Sequence, residues 1–196
     1  YLAGGNDEGI KSAGRRVERA FGSVLVVAYR KGHRLLRAIR PENGLDLSEL
    51  DDEDYYTFRE MTVAARGEPW RVVTKPGIFS WDRLDPATAV LLEHLAVEPS
   101  DHILDLGAGY GIIGLVAARL APHGSVDLVE AEVAAAEASR RTLGVNGVAN
   151  AEVFFSDAAE VVRRQYNGVV TNPPFHQGHG VDYAVARQFI KDAYRL

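Results

Sequence analysis

The stretch Asp105-Leu106-Gly107-Ala108-Gly109-Tyr110-Gly111-Ile112-Ile113-Gly114 constrains the fold more than any other part of the chain. The apolar run His102-Ile103-Leu104 leads into it and Leu115-Val116-Ala117-Ala118-Arg119-Leu120 follows, so it reads as strand, glycine-rich turn and helix. Glycine permits tight turn geometry and lets a ligand approach the backbone where a Cβ would collide. The helix start adds unpaired N–H groups. Such a turn serves NAD, FAD, S-adenosylmethionine or plain packing alike, and Asp105, on the strand end before the first glycine, separates them by charge. A pyrophosphate gains from the helix dipole but is repelled by a fixed carboxylate. S-adenosylmethionine carries an ammonium and a sulfonium and no phosphate, so the anion attracts it.

From His102 onward the elements alternate: strand 102–106 and helix 112–120, strand 125–130 and helix 133–144, strand 151–156 and short helix 158–164, strand 167–171 and a helix from Tyr183. This pattern predicts an α/β fold, a parallel sheet with crossover helices on both faces. Its ligand belongs at the carboxyl ends of the strands, beside the first of them. Before the sheet, Lys75 to Asp85 is turn-rich, and Asp85-Pro86 starts a helix reaching Ala96, with aspartate as N-cap and proline at the first helical position.

The amino-terminal part reads differently. Asn6 to Phe21 is a turn and a short basic helix whose apolar contacts are Val17, Ala20 and Phe21. Ser23–Ala28 and Arg34–Ile39 are β-rich runs around the turn Arg30-Lys31-Gly32-His33, a hairpin pattern. Residues 41–54 form an acidic loop, and two further β-type runs occupy 55–63 and 70–74. A boundary near Arg66-Gly67-Glu68-Pro69 separates an accessory α+β remnant, residues 1–68, from a domain over residues 69–196.

Composition narrows the function classes. With 196 residues, 46% hydrophobic and 25% charged, the chain is globular, one ordinary domain plus an appendage. It has no cysteine, which excludes disulfides and Cys-based zinc sites. No apolar run approaches the ~20 residues that cross a bilayer, and no signal-peptide pattern opens the chain, so the expected address is cytoplasmic. The net charge is -5, yet between Lys11 and Arg40 nine basic residues face one acid, Glu18. A basic block on an acidic body suits a polyanion gripped at one end.

Three further features carry chemistry. Glu130 closes the second strand 19 residues after Gly111, near the spacing at which a carboxylate meets a ribose diol. Asp157, after the third strand, could accept from an adenine amine, or cap the short helix that follows. Asn172-Pro173-Pro174-Phe175 directly follows the fourth strand. Two prolines fix φ and remove two N–H groups, which holds the Asn172 amide and the Pro173 carbonyl as a rigid pair of acceptors. Acceptors that bind both protons of an exocyclic amine, with an aromatic ring that stacks on the base, are what amine methylation needs.

On these residues the chain carries a family resemblance. Asp105 to Gly114 resembles motif I of class I S-adenosylmethionine-dependent methyltransferases, and Asn172 to Phe175 resembles their amino-methylating motif IV. Gly5-Asn6-Asp7-Glu8-Gly9-Ile10-Lys11-Ser12, Pro76-Gly77-Ile78-Phe79-Ser80 with Leu84-Asp85, and Asn172 to His176 together resemble the bacterial ribosomal RNA guanine-N2 methyltransferases with a "methyltransferase small" domain. The resemblance implies a Rossmann-like sheet, truncated here at its C-terminal strands so that the fourth strand becomes an edge. It implies that Asp105, Gly107, Gly109, Glu130 and Asp157 hold the cofactor, with Phe79 and Asp85 lining the site and Asn172, Pro173, Pro174 and Phe175 presenting the guanine. Lys11, Arg15, Arg16, Arg34, Arg37 and His176 are the expected RNA contacts.

The implied reaction is transfer of the sulfonium methyl to the 2-amino nitrogen of a guanine in ribosomal RNA or a ribosomal subunit particle. It needs no metal, although His176, His179 and Asp182 could be drawn as a cluster. Adenine in DNA and a release-factor glutamine are alternative acceptors for the same clamp. A non-catalytic RNA-binding module that retains the fold is a further alternative, and a nicotinamide dehydrogenase the least suited. The sequence sets no oligomeric state.

Overall fold

The computed structural model describes residues 1–7, 9–42, 57–162, 164–173, 176–177, 180–181 and 184–196. Two units result, Tyr1–Glu53 and Asp54–Leu196. In the first, β1 (Leu2–Gly5) precedes α1 (Ile10–Phe21), and β2 (Leu25–Arg30) and β3 (His33–Arg37) form the hairpin expected around Lys31-Gly32. The sheet order is β1-β3-β2, antiparallel. β1 has no counterpart in the sequence reading because Leu-Ala-Gly-Gly has no alternation and no β-branched residue. Ile10, Gly14 and Ala20 are the buried residues of α1, whereas Val17 and Phe21 are only half-buried.

The basic residues of this unit divide into two sets. Lys11, Arg15 and Arg16 are exposed on α1. Arg34 is half-buried, donates its Nε to Asn6 Oδ1 at 2.7 Å and places its guanidinium 5.5 Å from the Tyr29 ring centroid. Arg37 is also half-buried. Both arginines on β3 therefore act partly within the unit's own packing.

The second unit opens with the hairpin β4 (Arg59–Ala65) and β5 (Glu68–Thr74). Arg66 and Gly67 are both left-handed, with φ of 55° and 74°, as a two-residue hairpin turn requires. There follow α2 (Pro86–His94), β6 (His102–Leu106), α3 (Ile112–Leu120), β7 (Ser125–Glu130), α4 (Val133–Val145) and β8 (Ala151–Phe155). The chain continues through β9 (Gly168–Val170), the short antiparallel pair β10 (His176–Gln177) and β11 (Gly180–Val181), and α5 (Ala184–Arg195). The four central strands are parallel in the order β8-β7-β6-β9, so the order reverses beside β6 and β9 stands at the sheet's edge.

Strand periodicity of two sorts the core. Ile103, Val126, Leu128 and Val153 face the layer holding the β4–β5 hairpin, α2, α3 and α4. Leu104, Leu106 and Val129 face Ala158, Ala159, Val162 and Phe189 on the other side. Apolar side chains on both faces are what a parallel sheet needs.

The chain divides into its two compact units at Glu53–Asp54, which leaves β4 together with residues 69–196. The reason is that β4 ladders with β5 while β5 is fastened to α4: the Val73 N–H donates to Thr142 Oγ1 at 2.9 Å and Asn146 Nδ2 donates to the Arg71 carbonyl at 2.7 Å. One expectation is corrected: over the described residues of 158–164 the chain is not helical; Ala158 has φ 47°, and 158–161 are turns. Arg164 and Tyr166 instead reach the buried Asp127 on β7, at 3.2 Å and 2.7 Å. Among the described residues no helix is long and apolar enough to cross a membrane.

Candidate active site

β6 ends at Leu106, and Gly107, Gly109 and Gly111 then turn the chain with φ of 78°, 59° and 84°. Five N–H groups between Gly107 and Gly114 are already engaged. Those of Gly107 and Ala108 donate to the Val129 carbonyl at 2.9 and 3.0 Å, and that of Gly111 to the Ala108 carbonyl. The Gly109 N–H donates to Glu130 Oε2 at 2.7 Å and the Gly114 N–H to Asp105 Oδ2 at 2.8 Å. Phosphate sites at helix starts rely on free amides. Here carboxylates hold two of them, at Gly109 and Gly114, which disfavours a pyrophosphate at this turn.

The turn borders a cavity of about 620 Å³, a volume suited to a small molecule. Four carboxylic residues line it, Asp85, Glu130, Glu132 and Asp157, and no lysine, arginine or histidine does so among the described residues. Leu106, Val129 and Phe189 provide apolar wall, and Phe79, 64% exposed, stands on it as well. An acidic lining with an apolar floor selects a cation that carries a flat apolar body. Burial and the neighbouring Glu130 charge push the Glu132 carboxyl up, against the smaller opposing effect of Lys75. A cation in the cavity would relieve that repulsion.

Glu130 closes β7 as expected and lines the cavity. Its Oε2 and Oε1 accept the N–H groups of Gly109 and Glu132, at 2.7 and 2.9 Å. A carboxylate has about four acceptor positions, so two remain for the hydroxyls of a diol. Asp157 and Phe79 also line the cavity, in the places the sequence reading gives them.

Asp105 is placed differently from the sequence reading. It is fully buried, is absent from the cavity wall, and spends one oxygen on the first turn of α3; its Oδ1 has no hydrogen-bond partner among the described residues. Burial pushes its carboxyl up to about 7, the Gly114 bond opposes this, and Glu130 adds to it. A raised folded-state value means that the folded protein holds the proton more tightly, so this group's stabilisation is full below about 4 and is lost as pH rises towards 7. Asp105→Asn, which cannot ionise, gains stability relative to the unmodified protein by about 1.4 kcal/mol per pH unit within that window. Urea unfolding of both proteins at pH 5, 6 and 7 measures this, and parallel curves would refute it.

Asn172 follows β9, whose end is tied to that of β6 by a hydrogen bond from Thr171 Oγ1 to the Leu106 carbonyl at 2.7 Å. Asn172 and Pro173 line the same cavity as Gly107, Gly109 and Glu130. The Asn172 Nδ2 donates to Asp85 Oδ2 at 3.0 Å and to Thr88 Oγ1 at 2.8 Å. Asp85 is also the N-cap of α2 and accepts the Thr88 N–H at 2.9 Å. With its amide protons bound to Asp85 and Thr88, the Asn172 side chain has Oδ1 as its acceptor end.

The structure thus brings together Phe79, Asp85, Gly107, Gly109, Glu130, Asp157, Asn172 and Pro173. Pro174 and Phe175 lie outside the described residues, as do His179 and Asp182; His176 lies in β10. Sequence reasoning missed Thr88, Glu132 and Phe189. Thr88 carried a signal, since it is the third helical residue after an Asp-Pro start, where an N-cap side chain receives a backbone N–H. Among the described residues no group of three or more His, Asp or Glu is arranged to hold a metal ion.

Comparison with known proteins agrees with this geometry. The chain is 42% identical over 125 residues to the ribosomal RNA small subunit methyltransferase C of Pseudomonas fluorescens, covering 64% of this chain and 37% of that protein. It is 32% identical over 191 residues to the protein of the same name from Pseudomonas entomophila, covering 97% and 55%. The chain thus spans about half the length, or less, of these curated relatives. A solved structure, the T. thermophilus 16S rRNA N2 G1207 methyltransferase in complex with AdoMet and guanosine, matches with a TM-score of 0.76 and 28% identity, over 99% of this chain and 52% of that one. The model of the methyltransferase small domain matches residues 69–196. With its Rossmann-like parallel sheet, glycine turn and Asn-Pro-Pro-Phe segment, the chain belongs to the methyltransferase small domain family.

Proposed function

We propose that this protein binds S-adenosylmethionine in the acidic cavity and methylates the exocyclic 2-amino group of a guanine in small-subunit ribosomal RNA. The observation that carries the reading is the Asn172 carboxamide, whose N–H groups are bound to Asp85 and Thr88 so that its oxygen is the acceptor end, in the wall of the cavity that Glu130 and the glycine turn also form. The names of the relatives and the guanosine bound to the T. thermophilus enzyme support the same acceptor.

Glu130 takes the ribose hydroxyls and Asp157 the adenine amine. Glu132 and Asp85 contribute negative potential, and Phe79 and Phe189 the apolar wall. Bound S-adenosylmethionine supplies an electrophilic methyl group on a positively charged sulfur. Asn172 Oδ1 and the Pro173 carbonyl accept the two amine N–H groups and aim the nitrogen lone pair along the line of transfer. Pro174 stiffens the pair, Phe175 stacks on the base, and His176 shapes its pocket. No strong base is required, because the amine proton becomes acidic once the nitrogen has gained its fourth bond and then departs to water. The target base must be unpaired or flipped out.

The first unit grips RNA phosphates through Lys11, Arg15 and Arg16, with Arg34 and Arg37 behind them as partly buried supports. A ribosomal substrate puts the protein in the cytoplasm. Radiolabelled methyl transfer to purified small-subunit RNA, to DNA and to a release factor, followed by nucleoside and amino-acid analysis, tests the acceptor. N2-methylguanosine is the expected product, and N6-methyladenine or methylglutamine alone would overturn the assignment. Glu130→Gln weakens S-adenosylmethionine binding by roughly 10- to 100-fold, the value of charge-assisted hydrogen bonds. Calorimetry measures it, and affinity within a factor of two would remove Glu130 from the cofactor site.

A further inference from the structure

Carboxamides are ambiguous groups: one end accepts and the other donates, and a half-turn about the last torsion exchanges them. Which end of Asn172 faces the reacting amine is therefore a property of its surroundings. Asp85 Oδ2 lies 3.0 Å from Asn172 Nδ2, and an ionised carboxylate can only accept. The opposite orientation would set two acceptor oxygens against each other. Thr88 Oγ1, 2.8 Å from the same nitrogen, takes the second proton. Thr88 is buried, at 6% exposure, and its own N–H is bound to the same Asp85 oxygen, so the two partners of Asn172 are fixed to each other as well.

We propose that Asp85 and Thr88 are positioning residues that lock the Asn172 carboxamide with its oxygen towards the cavity, and so restrict the methyl acceptor to a nitrogen that still bears N–H. This rests on the function proposed above and adds a specificity device to it. An acceptor without a proton to donate, such as a ring nitrogen or a carbonyl oxygen, would meet a lone pair rather than a partner. The latch sits at the start of α2, so the helix that closes one side of the site also sets its hydrogen-bond polarity.

Two substitutions separate the latch from helix capping. Asparagine caps helices about as well as aspartate, so Asp85→Asn leaves α2 intact, yet its side-chain N–H offers a partner to the Asn172 oxygen and favours the wrong orientation. Thr88→Val keeps the volume and removes the hydroxyl, and Thr88→Ser restores it. The expected result in steady-state methyl transfer to small-subunit RNA is a loss in kcat of roughly 100-fold for Asp85→Asn and roughly tenfold for Thr88→Val, with KM for RNA within twofold. Thr88→Ser should return to within about twofold of the unmodified protein. Wild-type kcat in either Asp85→Asn or Thr88→Val would overturn the proposal. So would a Thr88→Ser as slow as Thr88→Val, because the methyl group rather than the hydroxyl would then matter. Asn172→Ala run alongside distinguishes the two levels: if it is slow while the Asp85 and Thr88 variants are fast, only the latch fails, and if it is fast, the clamp itself fails.

Discussion

Asn172→Ala lowers methyl transfer by about 100-fold or more while S-adenosylmethionine affinity stays within a few-fold. The two halves of this expectation have separate origins. In the proposed reaction the carboxamide oxygen is one of two acceptors that orient the amine, and misplacing a reacting atom by about 1 Å costs on the order of 100-fold in rate. Cofactor affinity, in the same proposal, draws mainly on Glu130, Asp157 and the apolar wall; Asp85, which does bond to Asn172, keeps its charge and its place at the start of α2 when Asn172 is truncated. Removing the side chain also frees Asp85 Oδ2 and Thr88 Oγ1, but Asp85 keeps its bond to the Thr88 N–H, so α2 retains its cap. Single-turnover transfer beside calorimetry reads both quantities. Turnover within a few-fold of the unmodified protein, with cofactor still bound, would remove Asn172 from the reaction.

The second large effect is on stability, at Gly111. Its φ is 84°, and an added Cβ would lie 2.9 Å from Ser139 Oγ and 3.0 Å from the Ser139 Cα. The second neighbour is helix backbone, which cannot rotate aside. Left-handed geometry costs alanine roughly 1–2 kcal/mol, and overpacking against a fixed wall adds about 1–3 kcal/mol. Gly111→Ala should thus lose about 3 kcal/mol in urea unfolding. Gly109→Ala is the control: its φ is 59° and nothing lies within 4 Å of an added Cβ, so only the conformational cost applies, about 1 kcal/mol. Equal losses in the two variants would mean that the contact with α4 contributes nothing.

The centre of the second unit was legible in its sequence because β6, α3 and β7 are almost wholly buried. β6, α3 and β7 match the expected 102–106, 112–120 and 125–130, since a strand apolar on both faces and a helix apolar nearly all round leave few competing patterns. Legibility fails where conformation depends on partners distant in sequence. Ala158 adopts a left-handed φ that no propensity assigns to alanine, and the expected helix is lost with it. Asp105 is a failure of direction. Its neighbours Leu104 and Leu106 share the face packed by α5, so a period of two sends Asp105 to the α3 side and away from the cavity. Thr88 was legible only as part of a helix start, because its importance lies in a contact with Asn172, 84 positions later.

The glycine turn and the Asn172 clamp follow β6 and β9, which are hydrogen-bonded neighbours although more than sixty positions apart in sequence. The pairs Ile103 with Gly168, Leu104 with Val169 and Asp105 with Val170, and the tie from Thr171 to Leu106, fix the span between them. In the proposed reaction the reach from methyl donor to nucleobase is thereby a lattice spacing of the sheet. Lengthening the surface turn between α4 and β8 can reshape the far edge of the molecule and leave that reach unaltered.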